Sequence, residues 1–548
     1  MTSGPNDRYA WKGVGLWLRL SAHCDAFRAN PRAYLMANWW RLRGKRLRSR
    51  SQFAGLLGGS PRAYDLWMLW HEEVASHSEG GAGGPPILAL VDAKDAGQGT
   101  VEETMLSLSA DGMAALLIGT ADSPTLADAA RRIDWSASPW LMPMTAGDQI
   151  APGAADAYRA AIAALGRGDA PARIVFADDD CLDRRNRRTG PHFKPDWNSE
   201  LFAHHDYLTG ACIVRAAQAD LDGVAGSADW AHQLVMQIAG AGEGAPVHVR
   251  QILHHRHSRI APKIPATPAI ASADLPPVTV IVPTRNRVDL LRTCLNGVEA
   301  TDYPALDVIV VDNDSDDAET LSYLDRLDPA RYQVLRHSGP FNYSAINNRA
   351  AAMAQGRLLC LLNNDIEMIA PDWLAIMAWQ AMRADVGAVG ARLLYPDGRI
   401  QHAGVVIGVG NAAGHAHRLL HPDEEGYFRR HALPQFTSAV TAACLLMQRS
   451  RFEAVGGLNE RDFAVAFNDV DLCLRLNQRG WQSFYEPRAT LIHHESVSRG
   501  LDQDPVGAAR FAGELAALQR IWKTDEIFDP YHHLHLSRVS EKFALALG

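Results

Sequence analysis

Between residues 278 and 362, apolar runs of strand length alternate with segments whose apolar positions recur at helical spacing. Residues 278–282 read as a buried strand, 289–300 as a helix and 306–311 as the next strand. A helix over 318–327, a short strand around Val334, a helix over 343–354 and a strand over 358–362 follow. This succession predicts βαβ units and a mostly parallel sheet covered by helices. Ligands of such sheets bind beyond the carboxyl ends of the strands. Those positions are polar here: Pro283-Thr284-Arg285-Asn286-Arg287, Asp312-Asn313-Asp314-Ser315 and Asn363-Asn364-Asp365-Ile366-Glu367. The three segments are expected to converge on one crevice.

The pattern recurs upstream. Ile150-Ala151-Pro152 follows the apolar run 140–144 as Ile369-Ala370-Pro371 follows 358–362. Gly210-Ala211-Cys212-Ile213-Val214 parallels Ala442-Ala443-Cys444-Leu445-Leu446, and Val224-Ala225-Gly226 parallels Val455-Gly456-Gly457. Asp229 then matches Asp469, and Leu253-His254-His255 matches Ile492-His493-His494. Such internal similarity marks two copies of one structural unit, in keeping with a chain of 548 residues, too long for a single core. Five prolines within 261–277 read as the linker between the copies. The expected organisation is a helical N-terminal extension over 1–84, a first α/β copy over 85–258, a linker over 259–277, a second copy over 278–503 and a helical C-terminal extension over 504–548. The last of these reads as two helices, carrying Trp522 and Tyr531. The segment 408–434, with His415, His417 and His421, fits either a mobile lid on the acceptor side or an ordinary solvated loop.

Composition narrows the partners. A net charge of −8 gives no reason to expect nucleic acid. The seven cysteines are scattered without a Cys-x-x-Cys pair, which suits reduced core thiols of a cytoplasmic protein. No stretch approaches the ~20 apolar residues that cross a bilayer, and the start lacks a signal-peptide pattern. The first 75 residues combine Trp11, Trp17, Trp39, Trp40, Trp67 and Trp70 with a basic cluster over 41–50. That mixture either lies on an anionic membrane, here its inner face, or packs on the next domain with the arginines outward.

Three groups carry candidate chemistry. Asp365, directly after a strand, can hold Mg²⁺ or Mn²⁺ together with phosphate oxygens, or simply cap the following helix. Asp469 and Asp471 open an amphipathic helix, where either can serve as a general base or merely offset the helix dipole. His493 and His494 end a strand-like run; a histidine in such a place is often a satisfied core group, but the recurrence of the pair in both copies points toward function.

Taken together, these residues resemble the inverting bacterial glycosyltransferases of family 2. The resemblance covers about residues 277–500. It rests on Val-Ile-Val-Pro-Thr-Arg-Asn (280–286), Val-Val-Asp-Asn-Asp-Ser (310–315), Pro-Phe-Asn-Tyr-Ser-Ala-Ile-Asn-Asn (340–348), Leu-Asn-Asn-Asp (362–365), Val-Gly-Gly-Leu-Asn-Glu (455–460), Asn-Asp-Val-Asp-Leu-Cys-Leu-Arg (468–475) and His-His-Glu-Ser (493–496). It implies two GT-A-like (nucleotide-diphospho-sugar transferase, Rossmann-like) domains in tandem. It further implies a donor site containing Pro283, Thr284, Asn286, Asp312, Asn313, Asn348, Asn363 and Asn364, with Thr284, Asn286 and Asp312 on the nucleoside. Asp365 corresponds to the last position of the metal-binding Asp-x-Asp motif, His493 to the histidine completing the metal site and Asp469 to the general base. Asn363 and Asn468 depart from the family pattern, where many members carry acids. The implied partners are a nucleotide-sugar donor, dTDP- or UDP-linked, and a saccharide or lipid-linked saccharide acceptor of surface-polysaccharide synthesis such as O-antigen. The upstream copy is similar to the first domain of tandem members through Phe176-Ala-Asp-Asp-Asp180 and Pro191-His-Phe-Lys-Pro-Asp-Trp197. An ungapped match at Ile-Ala-Pro places Ala146 opposite Asp365 and Asp148 opposite Glu367, and implies a degenerate first site, whereas a small gap would leave Asp148 available as a ligand. A bifunctional transferase with both copies active and a non-catalytic sugar-binding protein stand as alternatives.

Overall fold

A computed structural model describes residues 5–71, 85–165, 172–242, 244–271, 274–494 and 505–547. The fold is mixed α/β. Four helices come first: α1 (Pro5–Ala29), α2 (Pro31–Leu42), α3 (Arg46–Gly58) and α4 (Ala63–His71). The Asn30 side chain caps α2 by accepting from Ala33 N.

A first sheet holds β1 (Ile87–Asp92), β2 (Ala114–Ile118), β3 (Trp140–Thr145), β4 (Gln149–Ile150), β5 (Ile174–Leu182), β6 (Arg188–His192), β7 (Cys212–Val214) and β8 (Val247–Arg256). Their spatial order is β2-β1-β3-β7-β5-β8-β4, with β6 on β5. The second sheet is built mainly from β9 (Val278–Thr284), β10 (Leu306–Asp312), β11 (Tyr332–Arg336), β12 (Leu358–Leu362), β13 (Ile366–Met368), β14 (Val386–Leu394), β15 (Ile400–His402), β18 (Gln435–Thr437), β19 (Cys444–Gln448) and β20 (Gln482–His493), while β16 (Val405–Ile407) and β17 (Ala413–His415) pair separately. The main order is β11-β10-β9-β12-β19-β14-β20-β13.

The strands of the second sheet are continuous apolar runs because both faces are covered. Val278, Val280 and Val282 point into a core shared with the helices Val288–Glu299 and Trp373–Ala381, and Ile281 points to the other face, under Tyr343–Ala351 and Asn468–Gln478. The sheet is less parallel than its sequence suggests. β9 to β12 are parallel, but β19 runs antiparallel to both β12 and β14. Strand direction depends on the path of the chain between strands, which an apolar run does not record.

Three further expectations are corrected. The C-terminal segment contains one helix, Pro505–Trp522, and then an irregular strap in which the next ordered pairing is the bridge Leu536–Leu545. The strap is held by contacts with other elements: Asp529 accepts from Ile407 N at 2.7 Å, and Leu536 and Phe543 share a core with Tyr64, Trp67, Phe193 and Val406. The segment 408–434 is neither a free lid nor a solvated loop, since His417, Arg430 and His431 are buried within it and His417 stacks on Phe543 at 4.4 Å. Cys24 is exposed rather than part of a core.

The two sheet-bearing halves touch one another. Asn198 exchanges two hydrogen bonds with the Phe436 backbone, at 2.9 and 3.2 Å, and Leu433 enters the core of the first sheet. Residues 261–271 are laid along the surface, with Lys263 N donating to His204 O at 2.8 Å. Among the described residues, no helix is long and apolar enough to cross a membrane.

Candidate active site

The parallel strands end on one polar ledge. Pro283 and Thr284 lie within β9 rather than after it, because pairing with β10 continues to Thr284↔Asp312. Pairing with β12 ends earlier, at Ile281↔Leu361, so the ladder on that side stops before the proline. The buried Asp312 carboxylate accepts from Ser315 N at 3.2 Å and pairs with Arg336. Asn286 takes a left-handed backbone (φ 55°), which asparagine tolerates better than most residues. Its amide staples the two strand-end loops: Oδ1 accepts from Asp316 N and Asp317 N at 3.0 and 3.1 Å, and Nδ2 donates to Asp316 at 2.7 Å. Asn313 donates to the His337 and Gly339 carbonyls, and Asn364 donates to Thr284 Oγ1 at 3.0 Å.

At the far end of the ledge, β13 pairs antiparallel with β20 in the register Ile366↔His493, which brings the histidine beside Asp365. His493 Nε2 stands 3.1 Å from Asp365 Oδ1 and 3.5 Å from Asn363 Nδ2. Its Nδ1 lies 2.7 Å from Gln401 Oε1, on β15. An amide oxygen only accepts, so Nδ1 carries a proton there, and Nε2 is the ring atom turned toward Asp365. A carboxylate oxygen and an imidazole nitrogen at that separation are bridged by a proton on the ring or by a shared cation. His494 instead pairs with Glu367 at 2.8 Å. An open cleft of about 160 Å³ separates Asp365, Glu367 and His494 from Asp289, Leu290 and Thr293 at the start of the helix Val288–Glu299.

Asp469 flanks the same ledge. Its Oδ2 accepts from Ala442 N at 3.1 Å and its Oδ1 from Val470 N at 2.9 Å, while the neighbouring Ala443 O accepts from Asn363 N at 2.9 Å. Asp471 is not a surface acid: it is buried and held by Arg475 at 2.7 Å and by the Trp522 indole at 2.9 Å. The Asn348 amide bonds Leu458 N and O and the Glu460 carboxylate. Sequence reasoning missed Gln401; the signal available was a Gln-His pair set between Ile400 and Ala403.

The first sheet is built differently at the corresponding edge. There β4 pairs with β8 as Ile150↔His254, whereas β3 meets β7 as Leu141↔Val214. If His254 corresponds to His493 and Val214 to Leu446, these registers require three more residues between β3 and β4 than between β12 and β13. The ungapped match is therefore corrected: Gln149, not Ala146, stands next to the paired isoleucine as Asp365 does. Asp148 is buried, accepts from His257 N at 2.9 Å and faces Arg256 at 3.8 Å; burial raises its pKa, with Arg256 opposing. Asp229 is exposed at the start of the helix Trp230–Gly240.

Deeper in the first sheet, Asp178, His248 and His533 bring their polar atoms within 4.8 Å of one another, a spacing open to a metal. His248 Nε2 is hydrogen-bonded to Asp178 Oδ1, whereas His533 and Asp178 Oδ2 meet at ion-pair distance without a hydrogen bond. His535 N donates to His533 Nδ1 at 3.1 Å, which puts the ring proton on Nε2, 3.0 Å from Asp178 Oδ2. His248 lies 3.1 Å from both Asp178 and Asp196; burial lowers its pKa, but the two carboxylates overcome this and raise it.

A mixed α/β chain with a polar ledge beyond its parallel strands, ending in a carboxylate–histidine pair at an open cleft, belongs to the class of proteins that bind ligands at strand ends. Residues 279–450 match the family model described as glycosyl transferase family 2, so the chain carries a domain of that family. The uncharacterized protein y4gI of Sinorhizobium fredii is 37% identical over 429 residues, 68% of this chain and 46% of the relative. The O-antigen biosynthesis protein RfbC of Myxococcus xanthus is 36% identical over 405 residues, 66% of this chain and 31% of the relative. The chain thus spans less than half the length of these curated relatives. A mannosyltransferase, PcManGT, from Pyrobaculum calidifontis in complex with GDP-Man and Mn²⁺ is 20% identical over 48% of this chain and 69% of that chain, with a TM-score of 0.36.

Proposed function

We propose that residues 278–503 form an inverting glycosyltransferase domain. It would move a hexosyl group from a nucleotide-sugar donor, dTDP- or UDP-linked, to a hydroxyl of a saccharide or lipid-linked saccharide in cytoplasmic synthesis of a surface polysaccharide. The observation that carries this is the carboxylate–imidazole pair Asp365 and His493, its carboxylate lining an open cleft beside the start of the helix Val288–Glu299. Their donor set, one carboxylate oxygen and one imidazole nitrogen, fits Mg²⁺ or Mn²⁺ shared with phosphate oxygens. When bound, such a cation neutralises charge building on the leaving diphosphate. The loops around Thr284, Asn286 and Asp312 frame the nucleoside end. Asp469 accepts the acceptor's hydroxyl proton as that oxygen attacks the anomeric carbon. The bond to the diphosphate breaks on the opposite face, its electron pair leaves with the phosphate oxygen, and configuration inverts.

In this reading the two sheets are tandem copies of one GT-A-like unit over 85–258 and 278–503, and the first has lost catalysis. The antiparallel strand placed beside β3 and beside β12 supports duplication, and Arg256 opposite Asp148 supports the loss.

The test is a thermal-shift panel of UDP-, GDP-, CMP- and dTDP-sugars with and without Mn²⁺, on the wild type and on Asp365→Ala. Stabilisation by one nucleotide class that needs metal and vanishes in the variant is the expected result. A folded protein that responds to no donor, even with a saccharide acceptor present, would sink the proposal.

A further inference from the structure

We infer that helices α2 and α3, with the exposed face of α1, form a docking surface for an anionic lipid bilayer. The inference does not depend on the transferase reading. Residues 26–61 contain eight arginines and lysines and no acidic residue, in a chain whose net charge is −8. All eight, from Arg28 to Arg50, are exposed. The same helices expose large apolar side chains. On α2, Leu35, Met36, Trp39 and Leu42 recur at helical spacing with 60, 45, 41 and 88% of their surface open; on α1, Leu16, Trp17 and Leu20 are each about 60% open.

The two kinds of group are interleaved. The Arg43 guanidinium lies 4.7 Å from the Trp39 ring, and Lys45 and Arg48 lie 4.9 and 5.2 Å from Trp40. By contrast, Trp67 on α4 is buried between Tyr64 and Phe193. The extension therefore has one helix that packs inward and three that leave aromatic and basic groups outside. Side chains with apolar stems and charged heads, beside indoles, match the boundary between acyl chains and phosphate headgroups. The local excess of positive charge matches an anionic leaflet rather than a second copy of this acidic chain.

Co-sedimentation of the full chain with vesicles tests this. Binding is expected to phosphatidylcholine vesicles containing phosphatidylglycerol and not to phosphatidylcholine alone, with release as salt is raised. Reversing Arg41, Arg43 and Arg46 to Glu lowers the partition coefficient at least fivefold per site, the factor equivalent to ~1 kcal/mol for each basic residue near the surface. Trp39→Ser with Leu42→Ser weakens binding while leaving the salt dependence in place. Both variants should keep the wild-type circular dichroism and melting temperature. The inference is overturned if the folded wild type ignores anionic vesicles, or if neither variant changes binding. It is equally overturned if light scattering shows self-association through the patch without vesicle binding.

Discussion

Asp148 and Asp365 each precede a short antiparallel strand at the edge of a sheet, but their surroundings differ in the source of positive charge. Asp148 faces a resident guanidinium, Arg256, and accepts a backbone N–H; Asp179, nearby in the same sheet, is ringed by Lys194, Arg259 and Arg256. Burial works to raise the Asp179 pKa, but those cations overcome it and hold it well below the usual carboxylate range. Asp365 faces a histidine whose other nitrogen is held by Gln401, beside an open cleft. A fixed cation neutralises a carboxylate permanently and turns it into part of the scaffold. A histidine–carboxylate pair leaves room for an exchangeable cation, as the proposed transfer from a charged diphosphate would require.

The largest effect that would sharpen this contrast is on rate. Asp469→Asn is expected to lower kcat by about 10² to 10⁴, while Asp229→Asn leaves it unchanged; equal losses in a transfer assay would make both halves active and break the comparison. Next, Asp365→Ala should abolish a donor- and metal-dependent stabilisation of about 2.7 kcal/mol at a ligand concentration 100 times its dissociation constant, measured by thermal unfolding. Asp148→Ala should retain that shift.

A smaller effect is expected from Gln401→Ala, which frees the His493 ring: a 10- to 100-fold loss of metal affinity in titrations of activity against Mn²⁺. Activity should return at high metal if Gln401 only positions the ring, so a kcat that stays low at saturating metal would give it a larger role. The smallest effect is on pH-dependent stability. Because burial raises the folded-state pKa of Asp148, ionising it weakens the fold as pH rises through that value. Asp148→Asn should therefore match or slightly exceed the wild type in Tm near neutral pH, the gain fading below the ordinary carboxylate range. A lower Tm at neutral pH would mean that the ion pair with Arg256 outweighs burial.

Much of the second sheet could be read directly. The apolar run 358–362 is β12 residue for residue, and the helix expected over 289–300 spans Val288–Glu299. The helix expected over 343–354 ends three residues early, at Ala351. Strand ends were less legible, since Pro283 and Thr284 join β9 only because β10 continues alongside them. Among the candidate site residues, those directly after strands share the ledge, whereas Asn348, placed by motif alone, lies against Leu458 and Glu460. Gln401 could not be assigned because a three-residue strand has no periodicity, and its partner lies 92 positions away.

The sequence by itself determined the alternation of strands and helices, the polar strand ends and the family of the domain over 279–450, because burial on both faces of a sheet and the chemistry of strand-end loops leave local residue patterns. Only the tertiary structure decided that β19 runs antiparallel, that Arg256 rather than an exchangeable cation faces Asp148, and that the histidine-rich strap belongs to a shared core. Each of these depends on which distant segment comes to lie alongside, and long-range pairing leaves no periodic signal in either partner.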